Sequence, residues 1–424
     1  MKVDERGRAK FRPTNDYSSE DVKQVLMEKI KEESGRIIQS SKDEEILNSI
    51  KREKHKFHVV SLFSGCGGLD LGFDLAGLVS SQKTPSVLEE VYKSKSNFDR
   101  LGKQNIFQTI YSNDLFKESA RSYKLNFDNE HTVQDPRDIR KIKYFPYADV
   151  ILGGFPCPGF SAAGPRLIDD ERNFLYIHFI RAIIQAKPKV FVAENVKGLL
   201  TLGKGEVARQ IIEDFASAGY KIQYKLVNAR DYGVPQIRER VFIVGGRDDV
   251  KFSYEFPKPT HGADRRPYVT LEDAIGDLPE WPEDVYEGDF SSIYLSRNRK
   301  KDWNDQAFTV QASGRQAQLW PGGERMKKLG KDEWGLVGTQ NRRLSVRESA
   351  RVQTFPDWWV FDDGSSTSVS SKNNRLDKQY KQIGNAVPVL LARAVLQPIA
   401  DWAKQEINHQ IELDKQQAQL SLDI

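Results

Sequence analysis

The stretch 150-VILGGFPCPGFSAAG-164 is the one from which the rest of the chain is read. Val150, Ile151 and Leu152 form an apolar run of the length of a buried strand. Two glycines follow, then Cys157 between Pro156 and Pro158, then Gly159 and a string of small residues. A thiol at the end of a strand, flanked by φ-restricted prolines, stands on a rigid support and suits nucleophilic catalysis. In open α/β sheets ligands bind outside the carboxyl ends of the strands, where this loop would lie. Taken alone, the stretch fits a plain Pro/Gly turn that happens to hold a cysteine equally well. Its neighbours separate the two readings.

Upstream, 57-FHVVSLFSG-65 is the first strong strand, and it runs into 65-GCGGLDLGFDLAG-77. Glycines at 65, 67 and 68 allow a tight turn and a close approach of a ligand to the backbone. The dinucleotide pattern G-x-G-x-x-G fails because its third position is Asp70, yet a Gly-rich turn feeding a helix still fits a nucleoside-containing cofactor. A polar insertion at 80–104, helical around 86–95, leads to a second strand, 107-FQTIYSND-114. Asp114 stands where nucleotide-binding folds hold ribose hydroxyls, and the insertion stretches the usual spacing of about 20 residues. Glu89 and Glu90 are nearer that spacing but have no strand before them. Asp138, in 135-DPRDIRK-141, closes another short strand and could also serve as a turn cap.

Downstream, a helix over about 173–186 precedes 188-PKVFVAENVKGLL-200, which reads as a central buried strand ending in Glu194 and Asn195. A carboxylate at the end of a buried strand is costly without a partner or a task. Cys157 and Glu194 end successive strands, so both can converge above one sheet edge. An amphipathic segment at 208–218 leads to a hairpin-like pair of strands in 220-YKIQYKLVNARDYGVPQIRERVFIVGG-246. Alternation there sends Arg238 and Arg240 to one face. Such a pair is usually solvated; beside a nucleophile loop it can clamp a phosphate or a base carbonyl.

From 250 to 336 the character changes to frequent prolines and aromatics with short strands, as in a small irregular domain. Arg297, Arg299, Lys300, Lys301 and Arg315, with Gln311, Gln316 and Gln318, are side-chain types that read base edges and phosphates. The end returns to α/β material. Ser345 and Glu348 form a capping box for the helix in 345-SVRESARVQTFPD-357. A Ser/Asp-rich loop follows at 362–374, and 380-YKQIGNAVPVLLARAVLQPIADWA-403 reads as a Gly-Asn turn opening an apolar helix. The resulting division is 1–56, 57–249, 250–336, 337–403 and a Gln-rich tail, 404–424, expected to fray.

The 424 residues carry a formal charge of only +4, with 38% hydrophobic and 29% charged residues, which permits an anionic partner without demanding one. Cys66 and Cys157 are the two cysteines, too few for a disulfide framework and suited to a reducing cytoplasm. No run of 18 apolar residues and no signal peptide is present, so no membrane role is expected. Residues 1–56 read as a disordered start followed by one or two amphipathic helices, marked by Val22, Leu26, Ile30, Ile37 and Ile46, packing on the domain surface. Arg6, Arg8, Lys10 and Arg12 would alternatively serve a DNA-touching arm.

Together these segments resemble the C5-cytosine DNA methyltransferase family. 63-FSGCGGLDLGF-73 is similar to its cofactor loop and 154-GFPCPGFS-161 to its Pro-Cys nucleophile loop. 194-ENV-196, 236-QIRERVFIVG-245, 342-RRLSVRESARVQTFP-356 and 383-IGNAVP-388 are similar to its remaining blocks, in the family's order. Pro158-Gly159 departs from the common pattern of the cysteine loop, and the family offers no role for 1–56 or 80–104. The resemblance implies an α/β fold with a Rossmann-like S-adenosylmethionine-dependent sheet and a smaller, irregular target-recognition domain. It implies Cys157 as nucleophile at C6 of a flipped cytosine, Glu194 at N3 and the exocyclic amine, Arg240 at O2 and Arg238 on the adjoining backbone. For S-adenosylmethionine it implies Phe63, Gly65 and Gly67 at the methionine and adenine, Asp114 at the ribose, and Asp138 with Ile139 at the adenine. Pro156, Leu175, Asn385 and Ala386 would close that pocket, and no metal is expected.

The segment 294-YLSRNRKKDWNDQAFTVQASGRQAQLWPGG-323 is similar to the recognition region of GGCC-reading members. Carried over, Arg297, Arg299 and Arg315 read guanines, with Gln316 and Ser161 also at the DNA; alternatively, Arg299 touches only phosphate and Arg297 stabilises its loop. The expected setting is a monomer in the bacterial cytoplasm acting on double-stranded DNA beside a cognate restriction endonuclease. Two other readings are a tRNA-directed enzyme of the same fold and a catalytically silent DNA-binding relative. The long Arg/Gln-rich recognition region weighs against the first, and the presence of both Cys157 and Glu194 against the second.

Overall fold

The computed structural model describes residues 18–82, 86–127, 132–156, 175–366 and 370–422. Two helices, α1 (Ser19–Arg36) and α2 (Ser41–Ser49), precede the first strand. The chain then runs through β1 (Phe57–Leu62), α3 (Gly68–Gln82), α4 (Ser86–Lys93), α5 (Lys95–Gly102), β2 (Phe107–Asn113), α6 (Lys117–Asn126) and β3 (Val133–Asp135). It continues with β4 (Val150–Gly153), α7 (Leu175–Ala186), β5 (Val190–Val196), α8 (Glu206–Ser217), β6 (Tyr220–Asn228) and β7 (Glu239–Arg247). An irregular region follows, holding short 3₁₀ turns, the brief helix α9 (Leu271–Ile275) and the hairpin of β8 (Lys327–Gly330) and β9 (Glu333–Gly335). The chain then forms α10 (Val346–Val352), α11 (Lys372–Asn385) and α12 (Val389–Leu422).

The seven main strands form one sheet in the order β3-β2-β1-β4-β5-β7-β6, parallel except for β7, which runs antiparallel to both neighbours. The expected α/β class is therefore what the chain forms. The strand order reverses between β1 and β4, which opens a crevice at the carboxyl ends of the parallel strands.

Alternation along the strands builds two buried layers, so each strand reads as a nearly continuous apolar run. Val60 and Leu62 of β1, Ile151 of β4 and Phe191 of β5 face a layer with Leu26, Ile30 and Ile46 of α1 and α2, Phe179 and Ile183 of α7, and Phe215 of α8. Phe57, Val59, Leu152 and Val192 face the other layer, formed by Phe73 of α3 and Leu391, Val395, Leu396 and Ile399 of α12. By length and composition the helical stretch 372–420 is apolar enough to cross a membrane. Its apolar part is buried against α3 and the sheet, as in the core helix of a globular fold.

The structure corrects the sequence reading at several elements. The insertion holds two helices, α4 and α5; in α4 the Tyr92 hydroxyl donates to Thr354 O at 2.7 Å and Val91 O accepts from Trp358 Nε1 at 2.8 Å. Gly384 and Asn385 end α11 rather than opening the apolar helix, which starts at Val389. The tail does not fray at 404: α12 continues to Leu422, anchored by buried Ile407 and by an ion pair of Asp414 with Lys54. The capping box forms as read, with Glu348 N donating to Ser345 Oγ at 3.1 Å. Glu348 also receives both arms of the buried Arg342 fork, at 2.7 and 2.8 Å.

Candidate active site

The crevice is a cleft of about 700 Å³ lined by the ends of β1, β2, β4 and β5, the turn after β3, the start of β7, and the end of α11 with the two residues after it. Every cofactor residue read from the sequence lines it except Gly67. Phe63 turns the chain out of β1 with φ at +54°, a left-handed conformation that a side-chain-bearing residue adopts at a cost and that clusters at functional sites. Gly67 takes φ +90° and turns away, where an added Cβ would lie 2.4 Å from the Phe127 ring. Its role is packing against that ring rather than lining the cleft.

Asp114 is fixed by its own loop. Its two oxygens accept from Gly65 N at 2.9 Å and Phe116 N at 2.8 Å. Burial pushes the carboxyl up from its ordinary value, against those two donors and the charge of Lys381. Asp138 caps a short turn and binds Arg140 through both oxygens, at 3.0 and 2.6 Å. Ile139 is buried beneath it.

At the other end of the cleft, Glu194 and Arg240 meet. The pairing of β5 with β7 sets Val196 opposite Arg240 and Glu194 opposite Phe242, and Arg240 Nε lies 3.0 Å from Glu194 Oε1. Burial raises the Glu194 pKa, outweighing the pull of Arg240 and Arg238 in the opposite direction. Gly154 lets the loop after β4 pass close by: an added Cβ would come within 3.1 Å of Glu194 Oε2. Asn195 Nδ2 donates to Phe155 O at 3.0 Å and ties the same loop to β5. Pro156, exposed, is the last described residue of that loop; Cys157 and Ser161 lie outside the described residues.

Arg238 and Arg240 do share one face, but it is buried rather than solvated. Arg238 donates to Val310 O, Gly384 O and Ala386 O at 3.3, 2.8 and 3.0 Å, and burial pulls its pKa well down. Two glutamines that the sequence did not single out complete this junction. Gln236 accepts from Val310 N at 2.8 Å and donates to Gln353 Oε1 at 2.9 Å, and Gln353 donates to Ile383 O at 2.6 Å. The sheet, the irregular region and the end of α11 are thus joined by one buried polar network directly beside the cleft.

In the irregular region, Arg297 and Arg315 are exposed. Arg299 is not: it is buried over the Tyr294 ring, donating to Tyr294 O at 3.1 Å and to Gln316 Oε1 at 2.8 Å. The loop-stabilising role that the sequence reading allowed Arg297 falls in the structure to Arg299. Arg343 lies within 5.5 Å of the Tyr286, Phe290 and Tyr294 rings and donates to Arg315 O, Gly288 O and Asp289 O.

A profile of the C-5 cytosine-specific DNA methylase family matches residues 57–401, most of the chain. The chain belongs to that family. The methylase is 62% identical over 407 residues to the Type II methyltransferase M.BsuRI of Bacillus subtilis, covering 95% of this chain and 93% of the relative. It is 56% identical to the Type II methyltransferase M.BspRI of Lysinibacillus sphaericus, covering 95% of each. A solved structure of a DNA modification methyltransferase encoded within a prophage of E. coli superposes with a TM-score of 0.55 at 21% identity, over 81% of this chain and 98% of that one, and shares the fold. The methylase is a DNA cytosine-5-methyltransferase, and its family implies use of S-adenosylmethionine.

The cleft fits that cofactor. Its volume is in the range of small-molecule sites. Asp114, held by amide donors from two sides, keeps lone pairs for a pair of hydroxyls, and Phe63, Ile139 and Leu175 supply apolar surface for a flat ring.

Proposed function

We propose that the protein methylates C5 of a cytosine turned out of duplex DNA, as the modification enzyme of a Type II restriction–modification system in the bacterial cytoplasm. The observation that carries this is the Glu194–Arg240 pair at the rim of the cleft, with Gly154 and Pro156 leading past it into Cys157. S-adenosylmethionine, when bound, supplies a methyl group on a positively charged sulfur, an electrophile. The chain's residues make the base reactive toward it. Cytosine C5 is a poor nucleophile, so the Cys157 thiolate adds to C6, breaking aromaticity and leaving C5 as an enamine carbon able to take the methyl. Glu194 faces N3; its raised pKa suits a carboxyl that shares a proton with that nitrogen and offsets the charge that develops during addition. Arg240 holds Glu194 and faces O2. Loss of the C5 proton then breaks the C6–S bond and frees the thiolate. Arg238 acts by joining the walls of the cleft.

Target choice falls to 250–336. The exposed Arg297 and Arg315 read guanine O6 and N7, the base edge best matched to a guanidinium fork, while Arg299 holds Gln316 toward the DNA. The target is a site with a GGCC core, methylated at its internal cytosine, and a cognate nuclease cuts the unmethylated site. Bisulfite sequencing of a plasmid from cells expressing the protein tests this. Protected cytosines within GGCC are expected; protection at sites lacking that core would overturn the target, and transfer to adenine or to tRNA alone would overturn the reaction.

A further inference from the structure

The segment ahead of β1 lies outside residues 57–401, which define the family match, and the sequence gives it no task in the reaction. It is joined to the wall of the cofactor cleft. Leu26, Ile30 and Ile46 share a core with Ile139 and Ile142, so α1 and α2 back the turn that carries Asp138 and Ile139. The polar connections are more specific. Asp43, in the first turn of α2, is fully buried, and its Oδ1 accepts from Arg137 Nη1 at 3.0 Å. The remaining donors of the Arg137 fork bind Asp135, Nε at 2.8 Å and Nη2 at 2.6 Å, and Asp135 also accepts from the Tyr111 hydroxyl at 2.9 Å. Asn113 donates to Asp135 O and Arg137 O at 2.7 and 2.8 Å.

Asn113, Arg137, Asp138 and Ile139 all line the cleft. The same turn is gripped from behind by Arg181, which donates to Ile139 O at 3.0 Å and Lys143 O at 3.1 Å. Lys143 Nζ in turn donates to Ser34 O and Ile37 O, at the end of α1, at 2.5 and 3.0 Å. Arg137 alone could bind Asp135 without α2; the buried Asp43 carboxylate adds a second anchor at the Nη1 end of the guanidinium, and a fork held at both ends has one orientation.

We propose that the N-terminal extension is the back wall of the cofactor site, with Asp43 a positioning residue that acts through Arg137 to set the Asp138–Ile139 turn against the nucleoside half of S-adenosylmethionine. This rests on the reading of that turn as the adenine contact. The test is calorimetric binding of S-adenosylhomocysteine to the full chain and to Asp43→Asn, Arg137→Lys and Val395→Ala, at a temperature where melting curves show each folded. Val395 lies on the opposite face of the sheet and serves as a measure of general destabilisation. Asp43→Asn is expected to weaken binding about five- to tenfold and Arg137→Lys, which keeps a cation but loses the fork, by about as much. DNA affinity should stay unchanged in both, and Val395→Ala should lower Tm without weakening binding. Unchanged binding in Asp43→Asn, or loss that tracks Tm across all three variants, overturns the inference. Should Asp43→Asn not fold, Arg137→Lys decides by the same two criteria. A wild-type chain that fails to bind S-adenosylhomocysteine would bring down the cofactor reading itself, and the inference with it.

Discussion

The carboxylate of Glu194 has Arg240 on one side and the α-carbon of Gly154 on the other, so single atoms matter there. Glu194→Gln removes the carboxylate proposed to share a proton with the base and leaves the half-buried Arg240 without its counter-charge. Loss of one general acid–base group should lower kcat about 10²–10⁴-fold, measured by single-turnover transfer of labelled methyl groups; a change below about tenfold would remove Glu194 from the chemistry. Gly154→Ala should also lower kcat, because the new methyl crowds Oε2, while Tm stays near wild type. Cys157→Ser should abolish turnover and the covalent adduct with 5-fluorocytosine DNA while sparing cofactor and DNA binding, since the thiolate and not the loop shape is lost; an adduct formed by that variant would displace Cys157 as nucleophile. The placement of Gly154 and Glu194 at the cleft was legible because a glycine pair and a strand-end carboxylate mark them locally. Gln236 and Gln353 were not, because an amide side chain advertises nothing in sequence and their bond spans 117 positions. Gly67 shares its pattern with Gly65, and only the backbone direction separates the glycine at the cleft from the one packed on Phe127.

Among the elements, those with a clear period were read closely and those set by long-range packing were not. β1, β4 and β5 announce themselves as short apolar runs. The start of α11 was hidden within a Ser/Asp-rich stretch, and its helical state is supported by the burial of Leu376, Tyr380 and Ile383 against the irregular region and α10. The polar end of α12 has little apolar periodicity to mark it in sequence; it is carried on from a buried half that is already helical. In the irregular region, the proposed reading surface depends on arginines that do not face outward. Arg343 sits among three rings and holds Arg315 by its carbonyl, and Arg299 holds Gln316. Arg343→Lys keeps the charge but not the planar fork, so the 315–316 turn should lose its fixed aim. The ratio of methylation at GGCC to methylation at single-mismatch sites should fall about tenfold, in line with loss of one well-aimed base contact. A fall in Tm with that ratio intact would assign Arg343 to stability alone.

Across the whole molecule, the three-layer α/β body was legible from strand patterning, whereas the docking of the N-terminal helices on it was legible only as amphipathicity. That docking has a pH consequence. His178 of α7 is buried among Arg181, Glu33, Asp138 and Arg140, and burial, with help from Arg181, pulls its pKa down to about 4. An unfolded chain binds a proton at this histidine below about pH 6.5, and the folded one resists it. Stability should therefore fall as the pH drops from about 6.5 toward 4, by up to roughly 3 kcal/mol from this group, and level off below that. Urea titrations of the wild type and His178→Gln across this range should differ in slope, the variant being flatter; parallel curves would refute the assignment.

The pairing of α3 with α12 sets a schedule for biosynthesis. α3 emerges from the ribosome early, yet the helix that covers its apolar side begins only at Val389. At about 5–20 residues per second, that surface waits for tens of seconds before its cover exists. The cleft wall from Gln382 to Val387 arrives equally late. A nascent or prematurely terminated chain thus carries the cysteine and the glutamate without a closed site. Modification activity would then appear only with completed chains, and a host relying on this enzyme to mark its own DNA would face a lag between the first messenger and the first protected site.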